Sequence, residues 1–387
     1  MVSLQSAENA LKSFYLDAIK ESIDMKTNPF FAKIESTSEN VFGKDVKKVV
    51  RVGLNGGVAA GTETGDLPEA ESSNYLQLTA SLKNLYGTIE ISDKAIRASQ
   101  NNEGAVVNLL NSEVDHLIKS AKYNFGRMLF GDGNGFIDYF SSMDGNSFHL
   151  ATTTGVVVPG LKVFVCNDNG VPYDGVGERT VVSVDRIGQW IELDGEPLTE
   201  PLLGGTIYAK HSAEELSGLG KIFNGKELYG YTKADNDYLC PYTQTNVGDI
   251  DELKIQTALD MLEETTGAGV DIIICSWGVR RALLKYYKEQ GMQVQTMQIE
   301  GGFNAISFNG IPVVADRFCP RGTMYLLNSA DFKLYQLCDW QWMEGENGQI
   351  LRQVPGKPVY SATLVKYAEL ICERPQGQGR LTGINEA

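Results

Sequence analysis

Apolar residues recur three or four positions apart at Val106, Leu110, Val114, Leu117, Ala121, Phe125 and Met128. That period places them on one stripe of a long α-helix over 101–131. Asn101 or Asn102 is suited to cap its start, Glu103 sits well against the positive end of the dipole, and Gly131 is placed to stop it in a left-handed conformation. Some twenty-eight residues at 1.5 Å each make a rod of roughly 42 Å, long against an average of about three turns. Lys119, Lys122 and Arg127 keep its other faces wet, so the segment reads as a spine that other elements cross rather than a membrane span.

Period two dominates the segment before it. Val46–Val52 reads as a valine-rich strand. A return strand starts near Tyr75 and alternates at Leu76, Leu78, Ala80 and Leu82, after which the phase slips to Leu85, Gly87, Ile89 and Ile91. The slip predicts a bulge or bend near Lys83-Asn84. Between the strands lie about twenty residues, far beyond ordinary hairpin loops. They include Gly53, Gly56, Gly57, Gly61, Gly65, Leu67 and Pro68, and no Cys, His or Lys. Ordering such a loop within one domain costs much entropy, so it is expected to reach over another subunit. The N-terminal residues 7–34 read as an amphipathic helical arm with Ala10, Phe14, Ala18 and Ile23 on one face, broken at Asn28-Pro29. Too short to fold alone, the arm is expected to dock on a neighbour, with Phe14, Phe30 and Phe31 as its anchors. Ser92 is placed to cap a short helix leading into the spine.

After GDGNG, residues 149–212 turn to short alternating runs: LKVFVCN, RTVVSVDRI and QWIELDG. They predict a small inserted β-barrel or sandwich, with Gly188-Gln189 as a two-residue hairpin turn. Residues 213–345 read as mixed α/β. Asp249 and Ser276 are expected to cap two helices, ended by Gly267 and Gly291, with the buried strand VDIIICS between them. Asn309-Gly310 joins two further strands, and MYLLN and FKLYQL are expected to continue that sheet. Asn347-Gly348 turns the chain into a long strand, VYSATLVKYAELICER, and the tail from Pro375 is polar and glycine-rich.

Composition narrows the function. The 387 residues are 42% apolar and 21% charged, enough for a sizeable core. A net charge of -15 argues against gripping nucleic acid through its phosphates. No signal peptide and no membrane-spanning run is visible. Six scattered cysteines form no C-x-x-C pair and read as reduced core residues. The three histidines, His116, His149 and His211, lie in no metal-binding spacing. Gly218-Leu219-Gly220 lacks the third glycine of a dinucleotide loop, and Asp132-Gly133-Asn134-Gly135 lacks the glutamate of a calcium loop. Trp277, Trp340 and Trp342 could form a ligand platform but read more simply as core or interface anchors. No catalytic residue, metal ligand or cofactor site is therefore expected.

The order of these parts resembles the major capsid proteins of tailed bacteriophages, the Hong Kong-type capsid fold. The pieces carrying the resemblance are the arm, VVRVGLNGG…LYGTIEI, ISDKAIRAS, the spine, LFGDGNG, DIIICSWGVRRALLKYYKEQG, FNGIPVVADRFCPRGTMYLLN and YSATLVKYAELICERP. The resemblance implies an α+β chain in five parts: arm 1–44, extended loop 45–91, peripheral domain 92–148 with 346–387, inserted β domain 149–212 and axial domain 213–345. It also implies self-assembly as pentamers and hexamers into an icosahedral virion shell around double-stranded DNA, built in the host cytoplasm with scaffold, portal and decoration proteins as further partners. Some members cross-link through a lysine in the extended loop. The loop here has none, so a non-covalent shell is expected. Other members begin with a scaffolding-like segment that is removed; with the sequence starting at the arm, either earlier processing or help from a separate scaffold protein is expected. The alternatives are an encapsulin-like cellular compartment, which shares the fold, and a binding or glycan-active protein using the β insert.

Overall fold

The computed structural model describes residues 28–53, 55, 57, 58, 60, 62, 74–98, 103–152, 155–198, 204–209, 214–267, 269–299, 303–345 and 348–386. The first strands are β1 (Glu35–Thr37), β2 (Val41–Phe42), β3 (Asp45–Val52), β4 (Asn74–Ser81) and β5 (Lys83–Ser92). β3 and β4 form an antiparallel ladder from Asp45↔Ser81 to Val52↔Asn74, with β2 on the far side of β3. The chain breaks at Leu82, where the alternation slips, and β5 enters a different sheet. Two helices follow, α1 (Asp93–Ala98) and α2 (Glu103–Met128). Ser92 Oγ accepts from Ala95 N at 3.2 Å and starts α1. α2 is the spine, 26 residues or roughly 39 Å long. Gly131 does not take the left-handed conformation expected of it; the positive φ angles fall at Gly133 and Gly135. The helix instead unwinds through a tight turn, with Phe130 N and Gly131 N bonded to Arg127 O and Met128 O.

A six-stranded closed barrel comes next. Its strands are β6 (Phe136–Asp144), β7 (Ser147–Leu150), β8 (Lys162–Cys166), β9 (Glu178–Asp185), β10 (Trp190–Leu193) and β11 (Gly205–Ala209), in the spatial order β10-β7-β6-β11-β8-β9. The barrel starts at Phe136, not at 149: β6 and the first half of β7, expected in the peripheral domain, help close it. Buried Asp138 fixes that start by accepting from Thr152 N at 2.9 Å. Nor is Gly188-Gln189 a two-residue turn. Four residues separate β9 from β10, and it is Gln189 that has positive φ, 58°.

The remaining elements are α3 (Leu219–Asn224), β12 (Glu227–Leu228), β13 (Tyr231–Thr232), β14 (Tyr242–Gln244), α4 (Glu252–Thr266), β15 (Ile272–Cys275), α5 (Trp277–Glu289), β16 (Thr296–Ile299), β17 (Phe303–Phe308), β18 (Ile311–Ala315), β19 (Met324–Leu327), β20 (Phe332–Trp342), β21 (Arg352–Gln353), β22 (Val359–Cys372) and β23 (Gly379–Leu381). A seven-stranded sheet runs β14-β23-β19-β15-β18-β17-β16. One face is covered by α4 and α5 through Ile255, Ala258, Leu262, Val279 and Leu283. Asp251, not Asp249, caps α4 and accepts from Lys254 N at 2.8 Å. Ser276 caps α5 as expected, and Asn309-Gly310 makes its turn with both φ angles positive. FKLYQL does not continue this sheet. It lies in β20, which pairs with β22, while the tail returns as β23 between β14 and β19. The second sheet gathers β1, β20, β21 and β5 around β22.

Candidate assembly surface

One face of the β3–β4 hairpin points inward. Val46, Val50 and Leu78 are buried in the main core, with Val52, Leu76 and Ala80 packed against it. Polar contacts anchor the same root. Lys48 Nζ lies 3.3 Å from Glu373 Oε1, which also accepts from Tyr335 Oη at 2.5 Å. Burial and that carboxylate raise the Tyr335 phenol above its ordinary pKa. Thr79 N donates to Tyr229 O at 3.3 Å. The inner face of the hairpin root is therefore built into its own subunit. Of the loop residues expected at an interface, Gly57 is described, with its N bonded to Asn55 Oδ1 at 2.8 Å. Gly56, Gly61, Gly65, Leu67 and Pro68 lie outside the described residues, as does Phe14.

Phe30 and Phe31 correct an expectation. They are 0% and 3% exposed in the chain's own core. Phe30 meets Phe332 edge-on at 5.0 Å, and Phe31 meets the spine's Phe125 at 4.7 Å. Asn28 caps their turn, accepting from Phe31 N at 2.7 Å. Their surface is already used within the subunit, and residues 1–27 of the expected arm lie outside the described residues.

The spine lies on β5. Val114, Leu117 and Phe125 are buried and Ala121 is half-buried, while the side chains of Val106 and Leu110 lie outside the described set. Gly87 permits the close approach: a Cβ there would stand 2.6 Å from Leu117 Cδ1. At the helix end, Arg127 and Glu215 form a buried two-pronged ion pair, with Nη1 2.9 Å from Oε2. Gly218 and Gly220 press against the same end. A Cβ on Gly218 would lie 2.3 Å from Met128 O, and Leu219 N donates to Leu129 O at 2.8 Å. The glycine pair that resembled part of a nucleotide loop is thus a packing contact between two backbones.

The barrel is joined to the body at the spine's Tyr123. Its hydroxyl donates to Val156 O, and the Arg317 guanidinium lies 5.2 Å above its ring. Arg317 Nε also donates to Gly155 O at 3.4 Å.

Two buried carboxylates are notable. Burial pushes Glu369 up to about 7, against the opposing bond from Ser217 N at 2.7 Å. Burial likewise pushes Asp316 up to about 7, although it accepts from Phe318 N at 2.7 Å. Both accept backbone bonds, and a nearby cation opposes each rise, Lys83 at Glu369 and Arg317 at Asp316. His149 meets Trp190 edge-on at 5.2 Å and bonds Ser141 at 2.9 Å on the barrel wall. Trp340 and Trp342 are buried, and Trp277 is exposed. Among the described residues, no three His, Cys, Asp or Glu side chains are grouped to hold a metal ion, and no helix is long and apolar enough to cross a membrane.

No family model matches the sequence, and no curated protein matches it. Solved structures do. A chain of the cyanophage A-1(L) capsid asymmetric unit is 11% identical and superposes with a TM-score of 0.56, covering 93% of each chain. A chain of the capsid of Myoviridae phage XM1 is 9% identical, with a TM-score of 0.46 over 93% of this chain and 92% of that one. The holo-SrpI encapsulin complex from Synechococcus elongatus PCC 7942 gives 10% identity and a TM-score of 0.46 over 93% and 89%. The chain has the α+β fold of tailed-phage capsid subunits, over nearly its whole length.

Proposed function

We propose that this chain, folded as a phage capsid subunit is, is a non-enzymatic major capsid protein that assembles with copies of itself into the shell of a virion. The observation carrying the proposal is the conjunction of that fold over 93% of the chain with a hairpin rooted in its own core and ending in a connection of about twenty residues. A segment so long gains stability when neighbouring copies receive it, and a chain embraced by its neighbours does so at every position in a closed shell. The resemblance supplies the finer picture: pentamers and hexamers, double-stranded DNA as contents, and assembly in the host cytoplasm. The net charge of -15 fits a wall that encloses DNA without gripping it.

Electron microscopy of the purified full-length chain, alone and with its co-expressed neighbours, tests the proposal. Closed particles are expected, and a chain that stays monomeric under every assembly condition would sink it. Deleting Gly57–Asn74 is expected to leave a folded monomer, because the buried root of the hairpin precedes and follows the deletion, and to abolish or derange the particles. Normal shells from the deleted chain would remove the embracing role. Particles filled with a cellular enzyme rather than DNA would move the assignment to a compartment shell.

A further inference from the structure

We propose that the outward face of the β2–β3–β4 sheet docks on helix α4 of a second copy of this chain. The inference rests on the shell-forming reading and names the two surfaces that meet.

The ladder register puts Phe42, Asp45, Lys47, Val49, Arg51, Tyr75, Gln77 and Thr79 on the face opposite the core. Single exposed apolar residues are common on any protein, but three large ones on one small sheet face are not. Phe42 is 63% exposed, Val49 55% and Tyr75 67%. Lys47 and Arg51 flank Val49 on that face, and among the described residues neither has an ion-pair partner. Asp45, the one acid on the face, is held by Ser81 Oγ at 2.7 Å. In a chain of net charge -15, this is an apolar patch with a cationic frame.

α4 offers the complement. Ile255, Ala258 and Leu262 face its own sheet. The opposite stripe, at steps of three and four, carries Leu253, Thr257, Asp260, Met261 and Glu264, all exposed. Leu253 is 75% exposed, beyond what a solvated helix needs. The Thr257 hydroxyl donates to Leu253 O at 2.7 Å and Asp260 accepts from Gln256 Nε2 at 2.6 Å, so the stripe presents mainly apolar surface and carboxylate oxygens. From Leu253 to Glu264 it spans about 16 Å, against about 13 Å from Lys47 to Arg51 on the sheet. Apolar meets apolar, and the carboxylates meet the long basic side chains. The two faces are different surfaces of one chain, so the contact is heterologous: each copy gives one face and receives on the other, which closes a ring when the rotation allows.

Charge exchange in the full-length chain tests the contact under conditions where wild-type shells form. Lys47→Glu/Arg51→Glu and Asp260→Lys/Glu264→Lys should each lower particle yield roughly tenfold or more, with monomer circular dichroism unchanged. All four substitutions together should restore particles. Doubles that assemble like wild type, or a fourfold variant as poor as the doubles, would overturn the docking. Shells that form but lose DNA or an acidic partner protein in the Lys47→Glu/Arg51→Glu variant would also overturn it, by showing another occupant. If a reversal unfolds the monomer, Lys47→Gln/Arg51→Gln replaces it, with the same drop expected and normal yield counting against the contact. Wild-type chain that never assembles defeats the shell reading itself, whereas normal shells indifferent to these charges defeat only the docking.

Discussion

Arg127 and Glu215 show what a single buried charge does here. Each is held by the other in the core beside the spine's end. Removing one partner strands the other without solvent, a loss of about 3–5 kcal/mol, whereas replacing both by apolar residues is often close to neutral. Glu215→Ala is therefore expected to lower the urea unfolding free energy by about that amount, and Arg127→Met/Glu215→Leu to recover most of it. Equal losses in both would mean the pair is more than charge compensation. Glu369 works through pH. Its folded pKa of about 7 stands above the ordinary 4.5, so the folded chain holds a proton that the unfolded chain releases. The associated stability is full below about 4.5 and is lost as pH rises through 7. Glu369→Gln carries no such charge. Its stability relative to wild type should rise between pH 5 and pH 8, on the order of 3 kcal/mol for a shift of this size, in paired urea titrations. A pH-independent difference would show that Glu369 is not the titrating group.

At the scale of elements, the spine and β5 are matched through one missing side chain. Gly87→Val would push into Leu117 and through it the helix, an overpacking cost of about 1–3 kcal/mol. Leu117→Ala removes the obstructing atoms, so the double variant should be more stable than the sum of the two single losses. Strict additivity in urea midpoints would mean that the helix and strand do not meet there. The same scale explains the corrected strand assignments. FKLYQL and the tail both had the expected period or polarity, yet β20 lies outside the seven-stranded sheet and β23 within it. Alternation says which face of a strand is buried, while its backbone edges are alike in every sequence. Two bulges in β20, near Leu337 and between Cys338 and Gln341, keep its faces in phase with the regular β22.

The whole molecule is a body with a barrel set into it. The barrel has its own core, including Phe140, Phe148, Val163, Val165, Val181 and Ile207. Its two ends meet, with Ala209 N bonded to Gly135 O at 2.7 Å. Replacing 136–209 by a short glycine-serine linker should therefore leave a body that unfolds in one cooperative step by circular dichroism. It should be weaker by roughly 1–3 kcal/mol, because Tyr123 and Arg317 lose their cover. A truncated chain without a cooperative transition would make the barrel part of the body's folding unit.

The sequence by itself determined what is local. Helical period fixed the spine, Ser92 and Ser276 fixed two helix starts, Asn309-Gly310 fixed a turn, and the slip after Leu82 fixed the place where hairpin becomes body. These follow from side-chain spacing and backbone preference within a few residues. Only the tertiary structure decided what is distant. It took Phe30 and Phe31 into the core, moved the barrel's start to Phe136, and returned the tail to the seven-stranded sheet. It also turned Gly218 and Gly220 into a seat for the helix end. Each outcome depends on which surfaces arrive at the same place, and close packing settles that by shape across tens of residues rather than by any pattern along the chain.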